Sequence, residues 1–282
     1  MNTSSLHTAL FLFTLFSVSI TTSAGATEAA KSDTTVSGSL ALVSNYVWRG
    51  QSQTWGNPAL QFGIEAGHVS GAYAGFWASN VSDQWVPGTR IETDWYAGMR
   101  GNLPAALSEL SYEVNLNYAY FPGGEFNKTG FALPSSSPNT VEFSSAVTHH
   151  WLTLRGGTVL TKFYGWDISN SSPGGFAGDP TAGVTGSTKG SYFIQADVSK
   201  ELAPTWTLLA QVGHQTIRHS TGLSWSYYKL GVSKSIQDWV ASLAYSASSE
   251  PKAFRDFVGL KNNGSIYSAA KPAVVFVITK NF

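Results

Sequence analysis

The sequence of 282 residues predicts an all-β fold, namely a transmembrane, antiparallel, up-and-down β-barrel of about twelve strands. Two patterns predict it. Segments of about ten residues alternate apolar and polar side chains along nearly the whole chain. The connections between these segments alternate between tight turns and long polar loops, as expected for short periplasmic turns and long extracellular loops. Charged residues make up only 12% of the chain, yet its mean hydropathy is slightly negative, which argues against a helical membrane protein.

The segment 109–121 shows the alternation most clearly. One face carries Leu110, Tyr112, Val114, Leu116, Tyr118 and Tyr120, and the other carries Glu109, Ser111, Glu113, Asn115, Asn117 and Ala119. In a barrel that spans a membrane, the first face contacts lipid and the second faces the lumen.

The predicted strands are each near ten residues long, which a tilted strand needs in order to cross the hydrocarbon layer. They span residues 36–49, 59–68, 72–81, 90–100, 109–121, 140–148, 152–164, 191–199, 205–214, 224–233, 239–247 and 272–282. If the N-terminus lies in the periplasm, the long connections 122–139, 165–190 and 248–271 face outward. The short connections 69–71, 149–151, 200–204 and 234–238 then face the periplasm.

The two chain ends predict an exported protein. Residues 1–26 are predicted to be a secretory signal peptide cleaved near Ala26, which leaves 27–282 as a single outer-membrane barrel domain. The apolar run 9–16 is too short for a spanning helix. A terminal Phe282 on an amphipathic strand resembles the signal by which barrels are recognised for assembly. We therefore expect a location in the bacterial outer membrane, with its lipids and the barrel assembly machinery as partners.

Composition excludes several classes of function. Zero formal net charge provides no basic field for a nucleic acid. The absence of cysteine excludes disulfides, thiolate metal ligands and cysteine nucleophiles. His149 and His150 are neighbours and are expected to point to opposite faces, which argues against a shared metal ion. The sequence assigns no catalytic, cofactor-binding or metal-binding residue.

Three segments near the N-terminus carry a family resemblance. They read Val-Ser-Asn-Tyr-Val-Trp-Arg-Gly-Gln-Ser-Gln-Thr (43–54), Asn-Pro-Ala-Leu-Gln (57–61) and Ser-Gly-Ala-Tyr-Ala-Gly-Phe-Trp-Ala-Ser-Asn-Val (70–81). Together with the Lys-x-Phe ending at Lys280 and Phe282, they resemble the TorF family of porins, a conserved proteobacterial outer-membrane family of unknown function. The resemblance implies a Gram-negative outer-membrane barrel that forms a pore, and it supplies no catalytic residue.

The inward phase of the predicted strands collects charged side chains. The candidates for lining the lumen are Arg49, Glu65, Arg90, Glu92, Asp94, Arg100, Glu113, Glu142, Arg155, Asp197 and Lys229. They either line a water-filled path or pair across the lumen and plug it. Arg49, at the end of the first predicted strand, is either a cation at a constriction or an anchor that ties its loop to a neighbouring carboxylate.

Aromatic residues fall into two groups. Near the strand ends, Trp206, Trp239, Phe282, Tyr46, Tyr120 and Tyr192 suit the aromatic girdles that lie at the headgroup level. In the outer loops, Trp55, Trp85 and Trp166 are candidates for stacking on a ligand or for packing within the loops.

Three functions remain after these exclusions. The leading hypothesis is a non-enzymatic channel for passive diffusion of small hydrophilic solutes across the outer membrane. The alternative is a plugged structural or ligand-binding barrel that acts through its extracellular loops. The third is a lipid-active outer-membrane hydrolase, because His214 shares the lipid-facing phase with Ser224 and Ser226 across a hairpin.

Overall fold

The computed structural model describes residues 9–12, 15–18, 32–104, 107–176 and 178–282. Within the predicted signal peptide, Ala9–Leu12 pairs with Leu15–Val18 as a separate two-stranded sheet. The rest of residues 1–26, including the predicted cleavage position, lies outside the described residues. Along the described chain, no helix is long and apolar enough to cross a membrane.

Twelve antiparallel strands close into a barrel in which each strand pairs with its neighbours in sequence and the last pairs with the first. The strands are β1 (Thr34–Val43), β2 (Ala59–His68), β3 (Ala72–Asn80), β4 (Ile91–Asn102), β5 (Leu110–Tyr120), β6 (Thr140–His149), β7 (Leu152–Val159), β8 (Tyr192–Ala203), β9 (Trp206–Thr216), β10 (Trp225–Ile236), β11 (Trp239–Ser248) and β12 (Ala273–Asn281). The predicted up-and-down barrel of twelve strands is confirmed.

Burial alternates along the strands, as the sequence pattern predicts. In β2, Gln61 and Glu65 are buried, whereas Leu60 and Ile64 are exposed. The exposed apolar side chains form a belt around the wall that includes Leu42, Leu60, Ile64, Trp95, Leu116, Leu154, Ile194, Val212, Leu230, Leu243 and Val274. An apolar outer wall around a polar interior is the arrangement of a transmembrane barrel.

The connections are sorted by length to the two ends of the barrel. The turn end carries residues 69–71, 103–109, 150–151, 204–205 and 237–238. The other end carries loop 1 (44–58), loop 2 (81–90), loop 3 (121–139), loop 4 (160–191), loop 5 (217–224) and loop 6 (249–272).

Small elements order these loops. Loop 1 contains the hairpin Val47–Trp48 with Gln51–Ser52, and loop 6 contains the hairpin Phe257–Val258 with Ile266–Tyr267. Gly183–Val184 of loop 4 pairs with Ser220–Thr221 of loop 5. Short 3-10 helices lie at Phe126–Lys128, Phe163–Gly165 and Lys252–Phe254.

Two predicted strands end several residues earlier than the sequence pattern indicates. The first leaves the wall after Val43 instead of reaching Arg49, and the following residues form the separate hairpin of loop 1, in whose turn Arg49 and Gly50 have φ values of +45° and +77°. The seventh ends at Val159 instead of Tyr164, whose φ of +45° is incompatible with a strand. Both segments become loops that fold over or into the barrel.

Inward glycines make room for inward aromatic rings on the adjacent strand. The directly opposed pairs are Gly75 with Tyr96, Gly98 with Tyr73, Gly157 with Phe193 and Gly213 with Tyr227. A Cβ atom built on Gly157 would lie 2.4 Å from the Phe193 ring, and one on Gly213 would lie 2.3 Å from the Tyr227 ring. The rings therefore lie along the wall, which leaves more of the interior free than rings projecting toward the barrel axis would.

Candidate functional site

Loop 1 crosses the barrel interior and brings Arg49 to the opposite wall. The Arg49 guanidinium forms a two-pronged ion pair with Glu142 of β6, with N–O distances of 2.9 and 3.1 Å. It also donates to Oε1 of Gln215 on β9. Going around the barrel, β6 and β9 are five and four strands away from β1. Loop 1 therefore spans the lumen near the loop end.

Aromatic rings enclose the Arg49 side chain. Its Cζ lies 3.6 Å from the centroid of the Phe193 ring and 4.4 Å from that of Trp48. The indole of Trp225 donates to the Arg49 carbonyl at 2.7 Å. Since Arg49 is only 7% exposed, its charge is compensated by Glu142 and by these ring faces rather than by bulk water.

Two buried carboxylates lie near the same end, at the start of β4. Asp94 Oδ2 accepts a hydrogen bond of 2.9 Å from the Asn117 amide. Among the described residues, Glu92 Oε2, Asp94 Oδ1 and Asn117 Oδ1 have no hydrogen-bond partner. These side chains present free acceptors to the interior beside the loop 1 crossing.

A second polar layer lies closer to the turn end. Arg100 pairs with Glu65, and its Cζ lies 4.2 Å from the centroid of the Tyr73 ring. Glu113 accepts hydrogen bonds of 2.9 Å from both the Tyr73 hydroxyl and Arg155. Each acid in this layer has a basic partner.

A third group lies on β8, β9 and β10. Asp197 accepts from the amides of Gln195 at 2.7 Å and Gln211 at 2.8 Å. The strand register places Asp197 and Lys229 on either side of Gln211. The Tyr227 hydroxyl of β10 donates to Gln195 of β8 at 2.8 Å, which links these two strands across β9.

The structure distributes the eleven predicted lumen residues as follows. On the inward phase of strands lie Glu65, Glu92, Asp94, Arg100, Glu113, Glu142, Arg155, Asp197 and Lys229, while Arg49 reaches the interior through loop 1. Arg90 does not face inward. It precedes β4, its side chain is 74% exposed, and Asp83 of loop 2 holds it at 2.7 Å. The role of the other ten in lining a water path stays a prediction.

Tyr46 also differs from its predicted place in an aromatic girdle. It is buried inside the barrel, where its ring packs edge-on against Trp77 with centroids 5.4 Å apart. The reason is that loop 1 turns inward directly after β1. The other predicted girdle residues, Trp206, Trp239, Phe282, Tyr120 and Tyr192, are exposed at strand ends.

The loops enclose a cavity of about 450 Å³ above loop 1, which we call the aromatic chamber. Its aromatic lining comprises Trp48, Trp85, Phe121, Phe126, Phe131, Phe163, Tyr164, Trp166, Phe176, Trp225, Phe254 and Phe257. Trp85 and Trp166 therefore pack within the loops and also face the cavity. Trp55 packs behind Trp85, with ring centroids 6.4 Å apart. Sequence reasoning identified Trp85 and Trp166 but missed the chamber, because its walls come from separate loops.

His214 and Ser226 form a hydrogen-bonded pair on the outer wall, with 2.9 Å between Nδ1 and Oγ. They lie in a groove of about 720 Å³ that Leu154, Val212 and Tyr228 also line. Ser224, the other predicted partner, instead accepts a hydrogen bond from the Ile217 amide.

The turn end holds a group that could ligate a metal ion. Ligand atoms of Glu109, His149 and His150 lie within 4.8 Å of one another, and all three side chains are exposed. The expectation that the two imidazoles diverge is wrong. His150 has φ of +51° in the tight turn after β6, so both rings approach Glu109 Oε2, at 3.4 and 3.6 Å.

Comparison with solved structures finds similar chains at low sequence identity. An outer membrane channel from Pseudomonas putida F1 is 12% identical, with a TM-score of 0.49, and the match covers 93% of this chain and 100% of that one. The KdgM porin is 8% identical, with a TM-score of 0.48, covering 87% and 99%. LpxR from Salmonella typhimurium is 6% identical, with a TM-score of 0.36, covering 87% and 99%. Likeness of this degree indicates nothing about what this chain transports or binds.

Sequence comparison identifies a family. No curated protein matches the chain. A family model described as "Bacterial protein of unknown function (Gcw_chp)" matches residues 27–282. This match does not test the resemblance of residues 43–81 to the TorF family. Because the model covers most of the sequence, the chain belongs to the Gcw_chp family of bacterial proteins.

Proposed function

We propose that the protein is a porin-like channel of the bacterial outer membrane through which small hydrophilic solutes diffuse passively. The observation that carries the proposal is the polar interior, where nine charged side chains of the barrel wall and Arg49 of loop 1 are enclosed by an apolar outer belt. Such a wall suits water and polar solutes, and the protein contributes exclusion by width and charge rather than chemistry.

Loop 1 is the proposed constriction of the path. Its crossing from β1 to Glu142 and Gln215 leaves solutes the space beside the loop rather than the full width of the barrel. Twelve strands lie between the eight-stranded barrels that side chains fill and the wide porins of sixteen strands or more. A loop held across such a lumen acts as a size filter.

The orientation follows from the loops and the C-terminus. We place the tight turns in the periplasm and loops 1 to 6 outside. Phe282 is exposed, and its backbone exchanges two hydrogen bonds with Gly38 of β1, at 2.8 and 3.0 Å. An exposed terminal ring on the closing strand suits recognition by the assembly machinery after export by the predicted signal peptide.

A solute-swelling assay on proteoliposomes tests the proposal. Vesicles containing folded protein should swell in isosmotic solutions of small sugars, and the swelling rate should fall as solute size rises. Heat-dependent mobility in electrophoresis verifies that the barrel is folded. Vesicles that contain folded barrel and swell no faster than empty vesicles contradict a channel.

The aromatic chamber favours a second candidate, a plugged barrel that binds ligands through its loops. Replacing residues 168–186 of loop 4 with a short Gly-Ser linker distinguishes the channel from the plugged ligand-binding barrel. A channel keeps or increases its swelling rate after this replacement, because the barrel wall and loop 1 remain. A plugged binding barrel loses its ligand and does not swell vesicles with the loop intact.

A further inference from the structure

The aromatic chamber lies directly above the loop 1 crossing. Trp48 and Gln51 of the loop 1 hairpin line it, while Arg49, between them in sequence, bonds to the barrel wall. Gly174 and Gly175 of loop 4 line the chamber and are exposed, so the chamber is accessible from outside. A solute entering by this route meets the chamber before it meets the constriction.

Charge is absent from the described lining of the chamber. Its amide and aliphatic hydroxyl side chains are those of Gln51, Gln53, Asn170, Ser171 and Asn262, and the Tyr164 hydroxyl and the tryptophan indoles are its other polar groups. A charged ligand would lose its hydration there without gaining a counter-ion, which disfavours its binding. The lining therefore selects neutral molecules.

Most of these polar groups already bond to the protein. The amide nitrogens of Gln53, Asn170 and Asn262 donate to the carbonyls of Gln51, Gly165 and Gly130, respectively. Ser171 Oγ donates to Asn170 Oδ1. In contrast, Gln51 Nε2 has no hydrogen-bond partner within the described chain, although Gln51 is only 3% exposed. The Nε2 atom itself is buried and does not open onto the chamber, so the chamber offers aromatic surface and few free polar groups.

Aromatic rings packed against one another form much of the chamber lining. Tyr164 and Trp225 pack edge-to-face with Trp48, with centroids 5.3 and 6.3 Å from that of Trp48. The surface of these rings that borders the chamber is apolar, and an aromatic guest can pack against it. A volume of about 450 Å³ accommodates one small organic molecule.

We propose that the aromatic chamber binds small, neutral aromatic compounds. This inference deepens the proposed function and rests on it for the passage of the solute beyond loop 1. Sugars are the competing ligands, but they need many hydrogen-bonding partners, and the chamber offers few.

Equilibrium dialysis of coumarin against the purified full-length protein in detergent tests the inference. Coumarin is a small, neutral aromatic compound. We expect saturable binding of one molecule per barrel above the partitioning into empty micelles, with no displacement by excess glucose. Absence of a saturable component, or displacement by glucose, overturns the proposal.

Two variants locate the site, and one serves as a control. Trp85→Ala removes a stacking face and should weaken binding about tenfold. Trp166→Ala removes a second ring of the lining and should also weaken binding about tenfold. Trp206→Ala, on the outer wall near the turn end, makes the same change as the first variant and should bind like the parent. Parental affinity in both chamber variants overturns the proposal.

Binding and conduction are separate readouts. Coumarin binding without vesicle swelling contradicts the channel and leaves the chamber as a ligand site. Vesicle swelling without coumarin binding contradicts the chamber proposal alone.

Discussion

Arg49 is the residue whose removal should disturb the interior most. Its buried guanidinium bonds to both Glu142 and Gln215. The charges of Arg49 and Glu142 therefore compensate each other. The sequence left two roles open for Arg49, a constriction cation or a loop anchor. The ion pair with Glu142 is the contact expected of the anchor, and a role for Arg49 at a constriction stays a prediction. The sequence pattern placed Arg49 at the end of the first strand, but its partner on β6 is distant in sequence and no local pattern indicates it.

We expect Arg49→Ala to lower the free energy of unfolding by about 3–5 kcal/mol, because it leaves the Glu142 carboxylate buried without its partner. The double variant Arg49→Ala with Glu142→Gln should lose less, since no unpaired charge remains. Urea titration of the folded barrel in detergent measures both. A single variant as stable as the parent would show that water already compensates Glu142.

Adjacent glycines on β7 provide a matched test of wall packing. Gly157→Ala places a Cβ 2.4 Å from the Phe193 ring and 2.7 Å from the Phe143 carbonyl, so it should destabilise the barrel by about 1–3 kcal/mol. Gly156→Ala meets nothing closer than 3.5 Å and should change stability by less than about 0.5 kcal/mol. The same urea titration compares them, and equal effects would contradict the in-register fit of ring on glycine.

The loops form the element whose structure could least be read from the sequence. The strands follow from a period of two, and β2 was predicted at its observed bounds, 59–68. The loops carry no such period, and their packing depends on contacts between rings far apart in sequence, such as Trp85 with Phe254 at 5.8 Å. Arg90 was wrongly assigned to the inward face because the alternation of side chains does not indicate at which residue a strand begins.

Loops 2 and 6 are clamped by Asp83. Its carboxylate contacts Arg90 at 2.7 Å and Lys261 at 2.9 Å. Partial burial raises the pKa of Asp83, but the hydrogen bonds from Lys261 and Arg90 outweigh it and hold the pKa below its usual value. A carboxyl with a depressed pKa stabilises the folded loop above its ordinary pKa of 3.8 and loses that effect as the pH falls through the folded value.

We expect Asp83→Asn to expose Lys261 to trypsin at pH 8, where the clamp of the parent protein is fully formed. A partly exposed pair contributes up to about 1 kcal/mol, so cleavage after Lys261 should quicken about threefold to fivefold. Asp179→Asn makes the same substitution in loop 4 and serves as the control. Equal cleavage rates in the parent and Asp83→Asn would mean that Asp83 does not restrain loop 6.

At the scale of the whole molecule, the two ends of the barrel differ in the length of the connections between strands. The turn end has connections as short as two residues, and the loop end places the aromatic chamber above a loop that crosses the lumen. Strand number, loop parity and the two faces could all be predicted from the sequence, because each depends on local alternation. The crossing of loop 1 could not, since it depends on a buried ion pair between residues 49 and 142.

Single-channel recording in planar bilayers tests the central claim most directly. The parent protein should give discrete conductance steps, and Arg49→Ala should give larger or more variable steps, because loop 1 loses its anchor on Glu142. Arg90→Ala, an identical substitution at an exposed loop position, should leave the step unchanged. Silence from folded parent protein, or identical steps from the parent and Arg49→Ala, would contradict a water-filled barrel constricted by loop 1.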